Sequence, residues 1–177
     1  MQKTIHKRAV CDEIQKYLFT DDILVLHGAR QVGKTHILFW LRDRLLEQGK
    51  TVHYLDLEDS RLRSVLDAGV PEFFQYLKEL GLNPEKFSGT GEDRLFVFID
   101  EIQYLKDPSS FLKLMADHHK PVKLVVSGSS SFDIRSKFSD SLAGRTVDFE
   151  IYTLSFREYL MFRQAGLIPD EAATQKT

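Results

Sequence analysis

One cysteine, Cys11, stands in a chain of 177 residues. An internal disulfide is excluded, and no second thiol exists with which to frame a metal site. A reducing compartment is the simpler reading, with Cys11 as buried filler rather than a nucleophile. An excess of charge of either sign is also lacking, because 24 Lys+Arg against 26 Asp+Glu leave a formal net charge of -2. That balance gives no general attraction to phosphate backbones or anionic lipid, so nucleic acid is not indicated as a partner. No apolar run approaches the roughly 18 residues of a membrane span, and residues 1–8 are basic and polar with no apolar stretch behind them. The chain reads as soluble and cytoplasmic. With 42% hydrophobic and 28% charged residues it is too apolar for intrinsic disorder and long enough to bury one core.

Along the chain, apolar residues at helical spacing place an opening helix over 4–19, ended by Thr20-Asp21-Asp22. A buried-strand run at 23–27 passes directly into a Gly-rich loop and then a helix at 37–48, with Gly49 behind it as a stop. Further strands are expected at 51–55, 95–99, 122–126 and 146–151. Helices are expected around Leu62 to Leu66 and at 72–80, 108–118 and 154–164, with another from the serine-rich turn after the fourth strand to about Asp140. Strands that alternate with helices, and are apolar throughout rather than at every second residue, argue for an α/β fold with a parallel sheet covered on both faces.

The loop Gly28-Ala29-Arg30-Gln31-Val32-Gly33-Lys34-Thr35 satisfies the P-loop pattern between a buried strand and a helix, where its chemistry requires it. The glycines let backbone N–H groups curl around phosphate oxygens, and the helix start, with His36 in its first turn, adds partial positive charge. Lys34 is positioned for the β and γ phosphates of ATP, and the Thr35 hydroxyl for Mg²⁺. Asp100 ends an apolar strand, where a carboxylate meets Mg²⁺ at the carboxyl edge of a parallel sheet. Glu101, next along, is the candidate for polarising the attacking water. Ser127, at the end of the fourth strand, and Ser129, just beyond it, reach the γ-phosphate or the attacking water only if that strand lies between the P-loop strand and the Asp100 strand. Otherwise Ser127-Gly128-Ser129-Ser130-Ser131 is an ordinary turn. Arg145 precedes the last strand, where a guanidinium can project into a neighbouring subunit or simply lie on the surface.

The P-loop, Phe98-Ile99-Asp100-Glu101-Ile102-Gln103, Ser127-Gly128-Ser129-Ser130, Leu142-Ala143-Gly144-Arg145 and Leu154-Ser155-Phe156-x-Glu158 together resemble one family. It is the prokaryotic AAA+-type ATPases, the archaeal and bacterial group whose ATPase domain is usually followed by a winged-helix or nuclease-like C-terminal region. The resemblance implies a five-stranded parallel sheet in the order 5-1-4-3-2, with the Ser127 strand beside the P-loop strand. It implies Lys34 and Thr35 as the Walker A pair, Asp100 as the Mg²⁺ carboxylate and Glu101 as the catalytic glutamate. Ser127 or Ser129 becomes the sensor, and Arg145 an arginine finger acting in trans within a homo-oligomer. It divides the chain into an ATP-binding domain over 1–165 and a polar tail over 166–177 that would begin a missing C-terminal region.

Two other readings use the same loop. A small P-loop kinase would need an acceptor pocket, to which Arg61 and Arg63 could contribute. A nucleotide-gated binding module would hold ATP as a switch ligand with negligible turnover. A GTPase lacks its Asn-Lys-x-Asp segment here. His27 and His53 fall on expected strands without a ligand cluster and read as core histidines, so no protein-held zinc is assigned.

Overall fold

The computed structural model describes residues 6–129 and 142–163. Five strands, β1 (Ile23–Gly28), β2 (Val52–Asp56), β3 (Leu95–Asp100), β4 (Val122–Ser129) and β5 (Thr146–Glu150), form one sheet in the order β2-β3-β4-β1-β5. Every neighbouring pair is parallel. Read from the other edge this is the order 5-1-4-3-2, so β4 lies between β1 and β3 and the condition on the two serines is met.

The three inner strands are buried along nearly their whole length, whereas the edge strands β2 and β5 are mostly half-exposed. This is why the apolar runs are continuous. Alternate residues of one strand feed two different cores, as side chains on a pleated strand must. Ile23, Val25, Val97, Ile99, Leu124 and Val126 face one core, and Leu24, Leu26, Phe96, Phe98 and Val125 the other.

The second core is closed by α1 (Val10–Gln15) and α2 (Lys34–Glu47), the latter through Ile37, Leu38, Leu41 and Leu45, all fully buried. At roughly 1.5–3 kcal/mol per buried aliphatic side chain, that stripe anchors the helix that carries Lys34 and Thr35. Its end is a Schellman turn: Lys50 N–H donates to Leu45 O at 3.0 Å, and Gly49 adopts φ 71°. The first core is closed by α3 (Ser60–Ala68), α4 (Val70–Glu79) and α5 (Pro108–His118), with Phe73, Leu77, Phe111, Leu112 and Met115 innermost. A further helix, α6 (Phe156–Phe162), follows β5.

Two expectations change. Among the described residues of 4–19 the opening helix is only Val10–Gln15, followed by successive i to i−3 turns as far as Thr20. Arg8, just before it, lies outside the helix with its side chain buried against the phosphate loop, donating to Val32 O at 2.9 Å. Ser127 to Ser129 are the last rungs of β4 rather than a turn, because their backbones stay paired with β1 as far as Gly28↔Ser129. The expected helix reaching Asp140, and the tail over 166–177, lie outside the described residues.

Cys11 is fully buried, and burial pushes its thiol up to about 11, as a filler residue requires. Among the described residues no helix is long and apolar enough to cross a membrane.

Candidate nucleotide site

The carboxyl ends of β1, β3 and β4 converge at one edge of the sheet, the place where open α/β folds bind ligands. The phosphate loop leaves β1 at Gly28 and enters α2 at Lys34. Gly28 is obligatory, since a Cβ there would lie 2.3 Å from Ile151 O. Gly33, with φ 93° and ψ 26°, turns the chain into the helix in the left-handed region that side chains rarely tolerate. No side chain caps α2, so its first amides are left for a ligand. Lys34 Nζ folds across the loop and donates to Gly28 O at 3.1 Å and Ala29 O at 2.9 Å.

A cleft of about 480 Å³ opens above this helix start, lined by Gln31, Gly33, Lys34, Thr35, His36, Phe39 and Glu101. Sequence positions some 70 apart thus share one cavity. Asp100, 2% exposed, lies at the end of β3. Its Oδ1 accepts the Ser127 hydroxyl and, at 3.1 Å, the Glu101 N–H, while Oδ2 accepts the Tyr54 hydroxyl at 2.9 Å. A buried carboxylate held by this many donors is a fixed charge rather than a mobile one.

Glu101 has a left-handed backbone, φ 58° and ψ 47°, uncommon for a residue with a side chain and concentrated at functional sites. The bend throws Ile102–Tyr104 into a single 3-10 turn, which brings Gln103 back over Glu101. The Gln103 amide donates to Glu101 Oε2, and its carbonyl accepts Ser129 N–H at 3.1 Å.

Lys34, Thr35, Asp100, Glu101, Ser127 and Ser129 are therefore gathered at one edge. The two serines are placed differently. Ser127 is fully buried and its hydroxyl is spent on Asp100, whereas Ser129 pairs in register with Gly28, level with the loop. Arg145 is not gathered with them. It precedes β5 at the opposite end of β1, where its backbone carbonyl accepts Ile23 N–H, and its guanidinium grips Asp117 at 2.6 and 3.1 Å. Arg61, weighed as an acceptor-phosphate ligand, pairs with Asp59 at 2.7 Å.

Tyr54 and Arg8 carried no signal of their own in the sequence, and Gln103 and Glu158 stood there only as members of the family segments, with no role of their own. Tyr54 looks like core filler on an edge strand, yet it shares a face with Phe98 and Asp100 through the β2–β3 register. Gln103 sits inside a motif that singles out only its neighbours. Arg8 and Glu158 meet across 150 residues of chain, a separation no local pattern spans.

The donors present suit Mg²⁺. It takes oxygen ligands, keeps several waters, and is held through one or two carboxylates together with substrate phosphates rather than by an all-protein cage. Thr35 and Asp100 are such a set. Among the described residues no trio of His, Cys, Asp and Glu could hold a metal unaided, and a site completed by phosphate oxygens needs none.

Comparison with known proteins agrees with this geometry. Searched by sequence, the chain is 27% identical over 159 residues to an uncharacterized protein of Haemophilus influenzae, covering 88% of this chain and 37% of that one. It is 28% identical over 151 residues to the uncharacterized protein MJ1544 of Methanocaldococcus jannaschii, covering 85% and 31%. The chain thus spans about a third of the length of these relatives. Searched by structure, it is similar to a chain from Drosophila ORC bound to DNA, with TM-score 0.52, 16% identity and coverage of 84% of this chain and 91% of that one. It is also similar to C. elegans PCH-2, with TM-score 0.52, 16% identity and coverage of 92% and 46%. At that identity the likeness shows the fold alone, a P-loop nucleoside-triphosphatase fold of AAA+ arrangement. A family model described as an AAA domain matches residues 20–160, and the chain belongs to that family of prokaryotic AAA-type P-loop ATPase domains.

Proposed function

We propose that this domain binds Mg·ATP in the cleft above α2 and hydrolyses it, as a nucleotide-driven switch or motor for a target yet to be identified. One observation carries the reading: Lys34, Thr35 and Glu101 line a single cleft, with Asp100 fixed at its edge.

The loop amides and Lys34 bind the β and γ phosphates. Thr35 and Asp100 would hold Mg²⁺, which when bound neutralises charge on the phosphate oxygens. Glu101 orients a water in line with the γ-phosphorus and takes its proton as the new O–P bond forms and the bond from phosphorus to the β–γ bridging oxygen breaks. Ser129, level with the loop, is the better placed of the two serines to report γ-phosphate, and Ser127 holds Asp100. Arg145, remote from its own subunit's cleft, acts on a neighbour's γ-phosphate in a homo-oligomer. In this reading the ATP-binding unit extends to about residue 165, the protein works in the cytoplasm, and the nucleotide signal passes to the additional regions that the longer relatives carry.

The test is phosphate release from Mg·ATP per subunit over a range of protein concentrations, with nucleotide binding measured in parallel. Lys34→Ala is expected to abolish tight binding, and Glu101→Gln to keep binding while stopping turnover. A per-subunit rate that rises with concentration and is lost in Arg145→Ala supports the finger. Full turnover in Lys34→Ala, or lost binding in Glu101→Gln, overturns the assignment. Binding with turnover at background in the wild type itself selects the switch-ligand reading instead.

A further inference from the structure

Arg8 is 6% exposed, and its guanidinium contacts three separate stretches of chain. Nε donates to Glu158 Oε1 at 2.8 Å, Nη1 to Val32 O at 2.9 Å, and Nη2 to Tyr152 O at 3.1 Å and Thr153 O at 3.4 Å. The first contact is in α6, the second in the phosphate loop, and the third in the connection that leaves β5. Glu158, also 6% exposed, is committed on its other oxygen to the cap of α6, accepting Ser155 N–H at 2.9 Å and Ser155 Oγ at 3.1 Å. A surface ion pair could be dismissed as weak, but this pair is buried and nearly every donor is used.

The Val32 contact matters for the loop. In a trans peptide the C=O and N–H point in opposite directions, so holding Val32 O on Arg8 aims the Gly33 N–H away from Arg8. Gly33 lines the cleft, and its left-handed backbone has no side chain to fix the orientation of that peptide. The other end of the loop is clasped by the same connection: Ile151 N–H donates to His27 O at 2.7 Å, and Ile151 O lies against Gly28. The phosphate loop is thus joined at both ends to the segment that leads into α6, directly at Gly28 and through Arg8 at Val32.

Resting on the nucleotide reading above, we infer that Arg8 is a positioning residue that aims the Gly33 amide at phosphate and, through Glu158, makes α6 respond to phosphate occupancy of the loop. A lysine cannot substitute, because a single ammonium cannot span the fork from Val32 O to Glu158 and Tyr152 O. The ligand sensed is the phosphate chain of a nucleotide, and the responding element is α6.

Hydrogen–deuterium exchange of the whole chain, with and without Mg·ADP and a non-hydrolysable Mg·ATP analogue, tests this. In the wild type either nucleotide is expected to slow exchange in peptides covering 28–36 and also 156–162. Arg8→Lys is expected to weaken nucleotide binding about tenfold, the loss of one charge-assisted contact, and at saturation to protect 28–36 while leaving 156–162 unchanged. The double variant Arg8→Gln/Glu158→Gln leaves no unpaired buried charge and is expected to behave like Arg8→Lys, which separates the relay from simple destabilisation. Protection of 28–36 without 156–162 in the wild type overturns the relay alone, as does transmission to α6 in either variant equal to wild type. No protection of 28–36 in the wild type overturns the nucleotide reading, and the relay with it.

Discussion

Gln103 bridges Glu101 and Ser129, its amide nitrogen on the carboxylate and its carbonyl oxygen 3.1 Å from the Ser129 amide. The carboxylate proposed to orient water is thereby tied to the last rung of β4, the strand that runs beside the P-loop strand.

Gln103→Leu keeps the volume and removes both contacts. It is expected to lower kcat about tenfold, from loss of a hydrogen bond to a charged group, and to change nucleotide affinity little. Gln103→Glu sets a second carboxylate against Glu101 and is expected to be worse than Leu. Steady-state kinetics on the two variants decides the point, since an unchanged kcat in Gln103→Leu removes any role for the bridge.

Tyr54→Phe deletes one donor to Asp100 and nothing else. Its expected cost is about 1–2 kcal/mol in urea unfolding, and the Mg²⁺ concentration giving half-maximal turnover should rise as Asp100 loosens. Burial first, and then the neighbouring Asp100 charge, hold the Tyr54 phenol above its ordinary value of 10.0. A raised phenol pKa means that stability from this contact is complete below pH 10.0 and fades only as pH rises beyond it, so the wild-type advantage over Tyr54→Phe should be flat from neutral pH upward to that limit.

The strands were legible because the cause of their burial is written locally. Ile23 to Leu26 and Leu95 to Ile99 are apolar at every position, which only a sheet covered on both faces demands. That Lys34, Thr35, Asp100 and Glu101 gather at one edge of the sheet was legible because Asp100 and Glu101 stand at the carboxyl end of one such run and Lys34 and Thr35 close the loop that leaves another. Strand order was not: periodicity says nothing about which strands pair, and it came through the family resemblance. Ser127 to Ser129 read equally as a turn, since small polar residues satisfy both environments and only the pairing with Gly28 decides. Arg8 marks the limit. A buried arginine in a basic N-terminal segment looks like a solvated charge until the chain closes over it.

Two glycines in one loop should fail for different reasons. At Gly28 the new methyl carbon meets the Ile151 carbonyl oxygen at 2.3 Å, a backbone atom that cannot step aside without disturbing β5. At Gly33 the nearest atom is Arg8 Nη1 at 3.6 Å, and the penalty is only the left-handed backbone at φ 93°. Gly28→Ala is expected to cost about 3 kcal/mol or more and Gly33→Ala about 1–2 kcal/mol. Urea midpoints for the pair check the order, and equal midpoints would show that the exit of β5 yields where the geometry says it cannot.

Acid should find the Arg8–Glu158 contact. Burial opposes ionisation of Glu158, but the Arg8 guanidinium and the N–H groups of Ser155 and Ala9 outweigh it and hold the carboxyl at about 2, against 4.5 unpaired. Because the folded value is the lower one, the unfolded chain binds the proton first as pH falls. The stabilisation is therefore complete above about 4.5 and is lost between there and about 2. At about 1.4 kcal/mol per unit, the whole loss is on the order of 3 kcal/mol. Glu158→Gln has no such proton to bind, so its stability should be lower than wild type at neutral pH and should fall less steeply through that window. Urea midpoints at intervals from pH 6 to pH 2 will show the two curves converging; parallel curves would mean that Glu158 is not held as a carboxylate by Arg8.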